Sequence, residues 1–181
     1  MRRCLAPVCA LAALAAPAAS FAQTFVGPEV GLFYPSSGTL RDAIGSSWFS
    51  FGLGRLNLND YGRTKVTPNF NIITGDSGGS KVAIVSYTLG VVQSLKGTGL
   101  SKSSMTPYFA YRGGLSYTDY AVNANGGRIS GKRLGYDVNA EIGVLFNNNL
   151  SLAARYDLVS EHDGLNFNGL SLSLKYGIAK F

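Results

Sequence analysis

Residues 133–146, RLGYDVNAEIGVLF, alternate without a break. Every second residue from Leu134 is Leu, Tyr, Val, Ala, Ile, Val, Phe, while the positions between carry Arg133, Asp137, Asn139 and Glu141. A period of two puts these sets on opposite faces of an extended strand. The same rhythm recurs at residues 25–34, 48–59, 65–74, 80–95, 105–118, 150–160 and 168–179. These are eight segments, an even number, and helical periodicity is almost absent. In segment 48–59 the phase slips near Gly54 and Arg55, which predicts a bulge. The expectation is an all-β fold, an eight-stranded antiparallel up-and-down barrel.

The connections carry turn chemistry: PSSGTLRDAIGSS, DYGR, GDSGG, KGTGLSKS, DYAVNANGGRISG, NNN and EHDGLN. In the first, TLRDAIG predicts one or two helical turns, with Ser37 or Thr39 as cap and Gly45 as stop.

Alternation does not say which face is inside. In a soluble barrel the apolar face points inward; in a membrane barrel it meets lipid and the polar face fills the lumen. Here the polar faces are rich in Gly and Ser, with charges of both signs: Glu29, Asp137, Glu141 and Asp157 against Arg112, Arg133, Arg155 and Lys175. Small residues leave space for long ones in a narrow lumen, where each charge needs an opposite partner. Charged residues make up 14% of the chain, below the roughly 25% usual for soluble domains. The pattern therefore reads as inverted, a transmembrane barrel with those eight residues as an inward ion-pair network. Glu141 and Arg155 each lie seven residues from Asn148, so they are expected opposite each other and paired. Tyr34, Trp48, Phe49 and Tyr117 at one set of strand ends, and Phe146, Tyr176 and Phe181 at the other, read as two aromatic belts.

The first residues fix the compartment. Basic MRR, the apolar run CLAPVCALAALAAPAA and the small-residue ending SFA have the three-part layout of a secretory signal peptide cleaved after about Ala22. The expected organisation is a signal peptide, 1–22, and a barrel domain, 23–181. Cleavage removes Cys4 and Cys9, so a disulfide framework or thiolate site is not expected. It leaves 14 basic against 10 acidic residues. They are scattered, which does not suit a nucleic-acid surface.

No site chemistry rises above this background. His162, in SEHDG, is the single histidine, and metal sites usually need three or four ligands. Ser160 and His162 share a parity without evident oxyanion donors, so an enzyme is not expected. GDSGGS has the letters of a serine-protease motif but reads as a hairpin turn, and NANGGR likewise. Neither a catalytic residue nor a cofactor or metal is assigned.

A cleaved signal, eight alternating strands and a terminal Phe181 together resemble the small OmpA- and OmpX-like outer-membrane β-barrel families. The resemblance covers residues 25–181 and is one of pattern. It implies residence in the outer membrane among lipid and lipopolysaccharide, with the last strand read by the barrel-assembly machinery. Counted back from Phe181, alternate positions hold Ala179, Gly177 and Lys175, whereas Tyr176 and Ile178 are out of phase. A bulge near the end would reconcile the two phases.

The functional expectation is a monomeric integral outer-membrane protein with a structural, envelope-stabilising or surface-interaction role. The alternatives are a narrow channel or carrier for small hydrophobic solutes, and a soluble exported ligand-binding barrel.

Overall fold

The computed structural model describes residues 25–56, 66–95, 105–124, 126–146, 150–177 and 179–180. The expected signal peptide and Phe181 lie outside the described residues. The elements are β1 (Phe25–Pro35), α1 (Gly38–Ile44), β2 (Trp48–Leu56), β3 (Val66–Ser77), β4 (Ser80–Ser94), β5 (Met105–Ala124), β6 (Gly127–Phe146), β7 (Leu150–Val159), β8 (Gly169–Tyr176) and β9 (Ala179–Lys180). From β1 to β8 each strand pairs antiparallel with the next in sequence, and β1 closes the circle by pairing with both β2 and β8. β9 continues the line of β8 along β1. The fold is a closed eight-stranded up-and-down barrel.

The burial pattern gives the direction that alternation leaves open. Along β8, Gly169, Ser171, Ser173 and Lys175 are buried, while Leu170, Leu172, Leu174 and Tyr176 are exposed. Polar residues point in and apolar residues point out. On the β5–β6 hairpin the outward apolar column ends at the pair Tyr117 and Leu134. The next outward pair is Asp119 and Lys132, joined by a 3.5 Å ion pair.

Four connections gather at one end of the barrel, called the loop end below. In the first, Ser37 caps α1 by accepting the Leu40 N–H at 3.5 Å, and Gly45 stops it with φ 114°. Between β3 and β4, Gly78 and Gly79 take φ 57° and 78°, the positive values a tight two-residue hairpin needs. In the fourth, Asp163 and Gly164 turn the chain within a small bridge between His162 and Leu165.

Three expectations are corrected. Residues 119–131 are not a loop: β5 and β6 pair as far as Ala124 and Gly127, so strand pairing carries the hairpin beyond the apolar column. The bulge expected at Gly54–Arg55 is absent, since the register with β1 runs evenly from Phe33↔Trp48 to Phe25↔Leu56. The third strand runs on to Ser77, three residues past its expected end, because the turn is only two residues long. Near the C-terminus the break in phase is present as expected. The register on β1 steps by one residue between Glu29↔Lys175 and Val26↔Ala179. This shift moves residue 179 from the inward phase of Lys175 to a position opposite Val26, on the other parity of β1.

Candidate functional site

The barrel lumen is the site, and it has layers. At the loop end, twelve apolar residues form one buried cluster: Phe33, Leu40, Ile44, Trp48, Ile73, Val82, Ile84, Tyr120, Val122, Val159, Leu165 and Phe167. They come from β1, α1, β2, β3, β4, β5, β7 and the β7–β8 loop, nearly the full circumference. α1 presents Leu40 and Ile44 to the cluster. The Phe33 and Trp48 rings lie 5.5 Å apart. Both of these rings lie where a facing residue has no side chain. A Cβ on Gly75 would sit 2.7 Å from the Trp48 ring, and one on Gly169 2.3 Å from Phe33. Glycine at these inward positions makes room for the plug.

Below it lies a charged layer. Glu141 accepts Arg112 Nη1 on Oε2 at 2.9 Å and Lys175 Nζ on Oε1 at 2.6 Å. The Tyr108 hydroxyl donates to Glu141 Oε1 at 2.9 Å and meets Ser151 Oγ at 2.8 Å. Arg155 donates from Nη1 to Glu29 at 3.2 Å and from Nε to Asp157 Oδ1 at 2.8 Å. Ser171 Oγ donates to the other Asp157 oxygen at 3.0 Å. Lys175 Nζ also lies 3.5 Å from Glu29. Each of these charged residues is at most 4% exposed. The opposite wall, from β2 to β4, is neutral: Ser50, Thr67, Asn69, Asn71, Ser86 and Thr88 are buried there. Toward the far end a smaller apolar group, Val92, Tyr108, Ala110, Leu145 and Ala153, lines the β4–β7 side.

The structure places the sequence-assigned residues as follows. Glu29, Arg112, Asp137, Glu141, Arg155, Asp157 and Lys175 are inward and buried. Arg133 is a correction. It has the inward parity, but it sits past the end of the outward apolar column, half exposed, and pairs with Asp163 at 3.5 Å. Asp137 pairs with no cation among the described residues; it accepts only Asn139 Nδ2, at 3.3 Å. Glu141 and Arg155 are direct cross-strand partners in register. Their ion pairs nevertheless go elsewhere, because Arg112 and Lys175 reach Glu141 while Arg155 turns to Asp157 and Glu29. Among the aromatics, Phe49, Tyr117 and Tyr176 are exposed on the outward face, and Tyr34 and Phe146 are half-buried. Trp48 is a correction: it is 2% exposed and points into the plug, since even positions of β2 face inward.

Sequence reasoning missed Tyr108, Ser151 and Ser171 as members of the network, and the whole plug. A signal was present: Phe33, Trp48, Tyr108 and Tyr120 occupy the polar parity of their strands. Beyond the apolar column, Tyr120 donates a short hydrogen bond to Asp163, which also meets Arg133. The Tyr120 bond, followed by the nearby Arg133 charge, holds the Asp163 carboxyl below its ordinary range; burial and the Asp163 bond push the Tyr120 hydroxyl up. Ser160 Oγ accepts the Tyr136 N–H at 2.7 Å, and the Ser160 N–H donates to Tyr136 O at 3.0 Å. Ser160 thus continues the β6 edge where β7 stops.

The sequence matches the outer membrane protein beta-barrel domain family over residues 6–177. The chain belongs to that family. It is an outer-membrane β-barrel protein, and its exposed apolar band is the lipid-facing surface. Sequence comparison with curated proteins finds no match. Among solved structures, the fold is similar to Neisserial surface protein A, at 16% identity, 86% of this chain, 97% of that one and a TM-score of 0.55. It is also similar to the N-terminal β-barrel domain of Pseudomonas aeruginosa OprF, at 11% identity, 86% and 96% coverage and a TM-score of 0.51. The outer membrane enzyme PagL aligns at 17% identity, 86% and 99% coverage and a TM-score of 0.49. At these identities the likeness concerns the fold alone.

Proposed function

We propose that this outer-membrane barrel is a non-conducting envelope protein, with a structural or surface-interaction role, that works as a monomer. The loop end faces the exterior, both termini face the periplasm, and the signal peptide is removed after about Ala22. Lipid and lipopolysaccharide are its surroundings, and the assembly machinery reads its last strand. The observation that carries this reading is the twelve-residue apolar plug beneath α1. Eight strands leave an interior just wide enough for side chains, and here that width is filled. The same plug argues against the narrow-channel alternative, and the outward apolar faces argue against a soluble carrier. Ser160 is occupied by the β6 backbone, which argues against a nucleophile paired with His162.

The test has two arms. Purified protein in planar bilayers is expected to show no unitary conductance, whereas Phe33→Ala combined with Trp48→Ala is expected to leak. A strain lacking the protein is expected to take up more hydrophobic dye, with the barrier restored by the intact chain. Steady conductance by the unaltered protein together with an intact barrier in the deletion strain would replace this reading with the channel.

A further inference from the structure

The two edges of the β5–β6 hairpin end differently beyond the apolar column. On the β5 side, β4 stays paired as far as Lys81↔Ala121, and Ser80 Oγ then accepts the Asn123 N–H at 3.0 Å. On the β6 side, β7 stops at Val159, opposite Asp137. One more contact follows, in which the Tyr136 N–H donates to Ser160 Oγ and the Tyr136 carbonyl accepts the Ser160 N–H. The chain then leaves the edge. Leu165 and Phe167 enter the plug, and Asp163 meets Tyr120 on the inward side. The loop pairs its backbone internally, His162 with Leu165 at 3.1 and 2.9 Å. β6 runs on to Gly127 with β5 alone beside it.

Tyr136 fixes which groups this leaves open. Its N–H and carbonyl both face the β7 side, and along an antiparallel strand every second residue presents both groups to the same side. Leu134, Lys132, Ser130 and Arg128 therefore turn their main-chain groups toward the side where β7 is absent, and all four are exposed. A row of this kind is a template for a further strand. The side chains select the occupant. Residues 127–134, GRISGKRL, carry Arg128, Lys132 and Arg133 and no carboxylate. Lys132 and Arg133 meet Asp119 and Asp163 at 3.5 Å in exposed pairs, which contribute little. Arg128 pairs with no carboxylate among the described residues. A second copy of the edge would bring like charges together, which is destabilising between strands. Carboxylates on alternate residues of an incoming strand would meet Arg128 and Lys132 instead.

We propose that the open edge of β6, residues 128–134, takes up an extended acidic polypeptide as an added strand. Main-chain bonds form at Arg128, Ser130, Lys132 and Leu134, and carboxylates at alternate positions lie over Arg128 and Lys132. Main-chain pairing supplies the affinity and the alternate side chains supply the selection. This gives the surface-interaction role a partner chemistry, and rests on that reading.

The experiment mixes the purified barrel in detergent micelles with a capped peptide of alternating Thr and Glu and follows amide exchange by NMR. The peptide is expected to protect the amides of Arg128, Ser130, Lys132 and Leu134. The same peptide N-methylated at alternate residues keeps its charge but cannot pair, and is expected not to bind. Ser130→Pro removes one edge-facing N–H and leaves the β5 ladder intact; it is expected to lose the protection of the other three amides. Arg128→Glu combined with Lys132→Glu is expected to shift the preference to a peptide of alternating Thr and Lys. No new protection at these amides, or equal binding of the N-methylated peptide, would overturn the proposal. So would protection that rises with protein concentration alone, since a second copy would then hold the edge. These readouts are independent of conductance and the dye barrier, which test the role itself.

Discussion

The loop-end half of the lumen and its middle occupy the same inward parity of the same strands, yet they meet the problem of burial in opposite ways. At the loop end, rings and aliphatic side chains fill the space left by Gly75 and Gly169, and apart from the Trp48 indole and the Tyr120 hydroxyl at its edge they ask of their neighbours only shape. In the middle, Glu141 alone is met by Arg112, Lys175 and Tyr108. An apolar plug degrades gradually when a methyl group is removed. A charge network fails sharply when one member is removed, because the partners are left buried and unpaired. The two halves thus differ less in how much they stabilise than in how steeply they respond to change.

The steepest response is expected from Glu141→Gln, which leaves Lys175 and Arg112 without their shared carboxylate. Breaking a buried pair costs about 3–5 kcal/mol, read as a lowered urea midpoint in detergent micelles. Adding Lys175→Met should recover a large part of the loss. The pairing also ranks two double-mutant cycles. Coupling between Glu141 and Lys175 should exceed that between Glu141 and Arg155, although the latter face each other across β6 and β7. The reverse ranking would break the account of the network.

The outward face serves as the control for both halves. Val138 is 47% exposed in the apolar band. Val138→Arg is expected to destabilise by about 2–4 kcal/mol near mid-depth, and Val138→Leu to be nearly silent. Normal folding of the arginine variant in bilayers would contradict the lipid-facing assignment.

The plug should respond mildly to a single methyl group. Ile84→Val is expected to cost about 0.5–1.5 kcal/mol by unfolding titration. A loss as large as that for Glu141→Gln would erase the distinction between the two halves.

The smallest effect concerns the cap above the plug. Asp163 has its carboxyl value lowered by Tyr120, so its contribution is present above about pH 4 and is lost as pH falls through the lowered value. Tyr120 is raised, so its contribution is present below about pH 10 and fades as pH rises toward the raised value. Protection of the amides of residues 160–167, taken relative to their intrinsic exchange rates, should therefore be greatest between these limits. Tyr120→Phe should flatten the profile at both ends without altering the network.

The strand count and the two faces were legible in the chain because a period of two is a local property: every residue declares its face through its immediate neighbours. The α1 cap at Ser37 and the stop at Gly45 were legible for the same reason, since each is set within four residues. The register of Glu141 against Arg155 also followed from counting across a short turn. What counting does not supply is height and reach. Arg133 has the right parity but stands past the apolar column, where a loop carboxylate 30 residues further along the chain, Asp163, folds back to it. Trp48 has the composition of a belt residue, but the inward parity of β2 and the bare backbone of Gly75 draw it into the plug. Glu141 took Lys175 because β8 closes beside β7 only when the barrel is complete. Parity belongs to the strand and can be read from it. Which charges meet, and which rings fill the bore, depends on side chains crossing the interior of a closed circle, and that circle exists only in the tertiary structure.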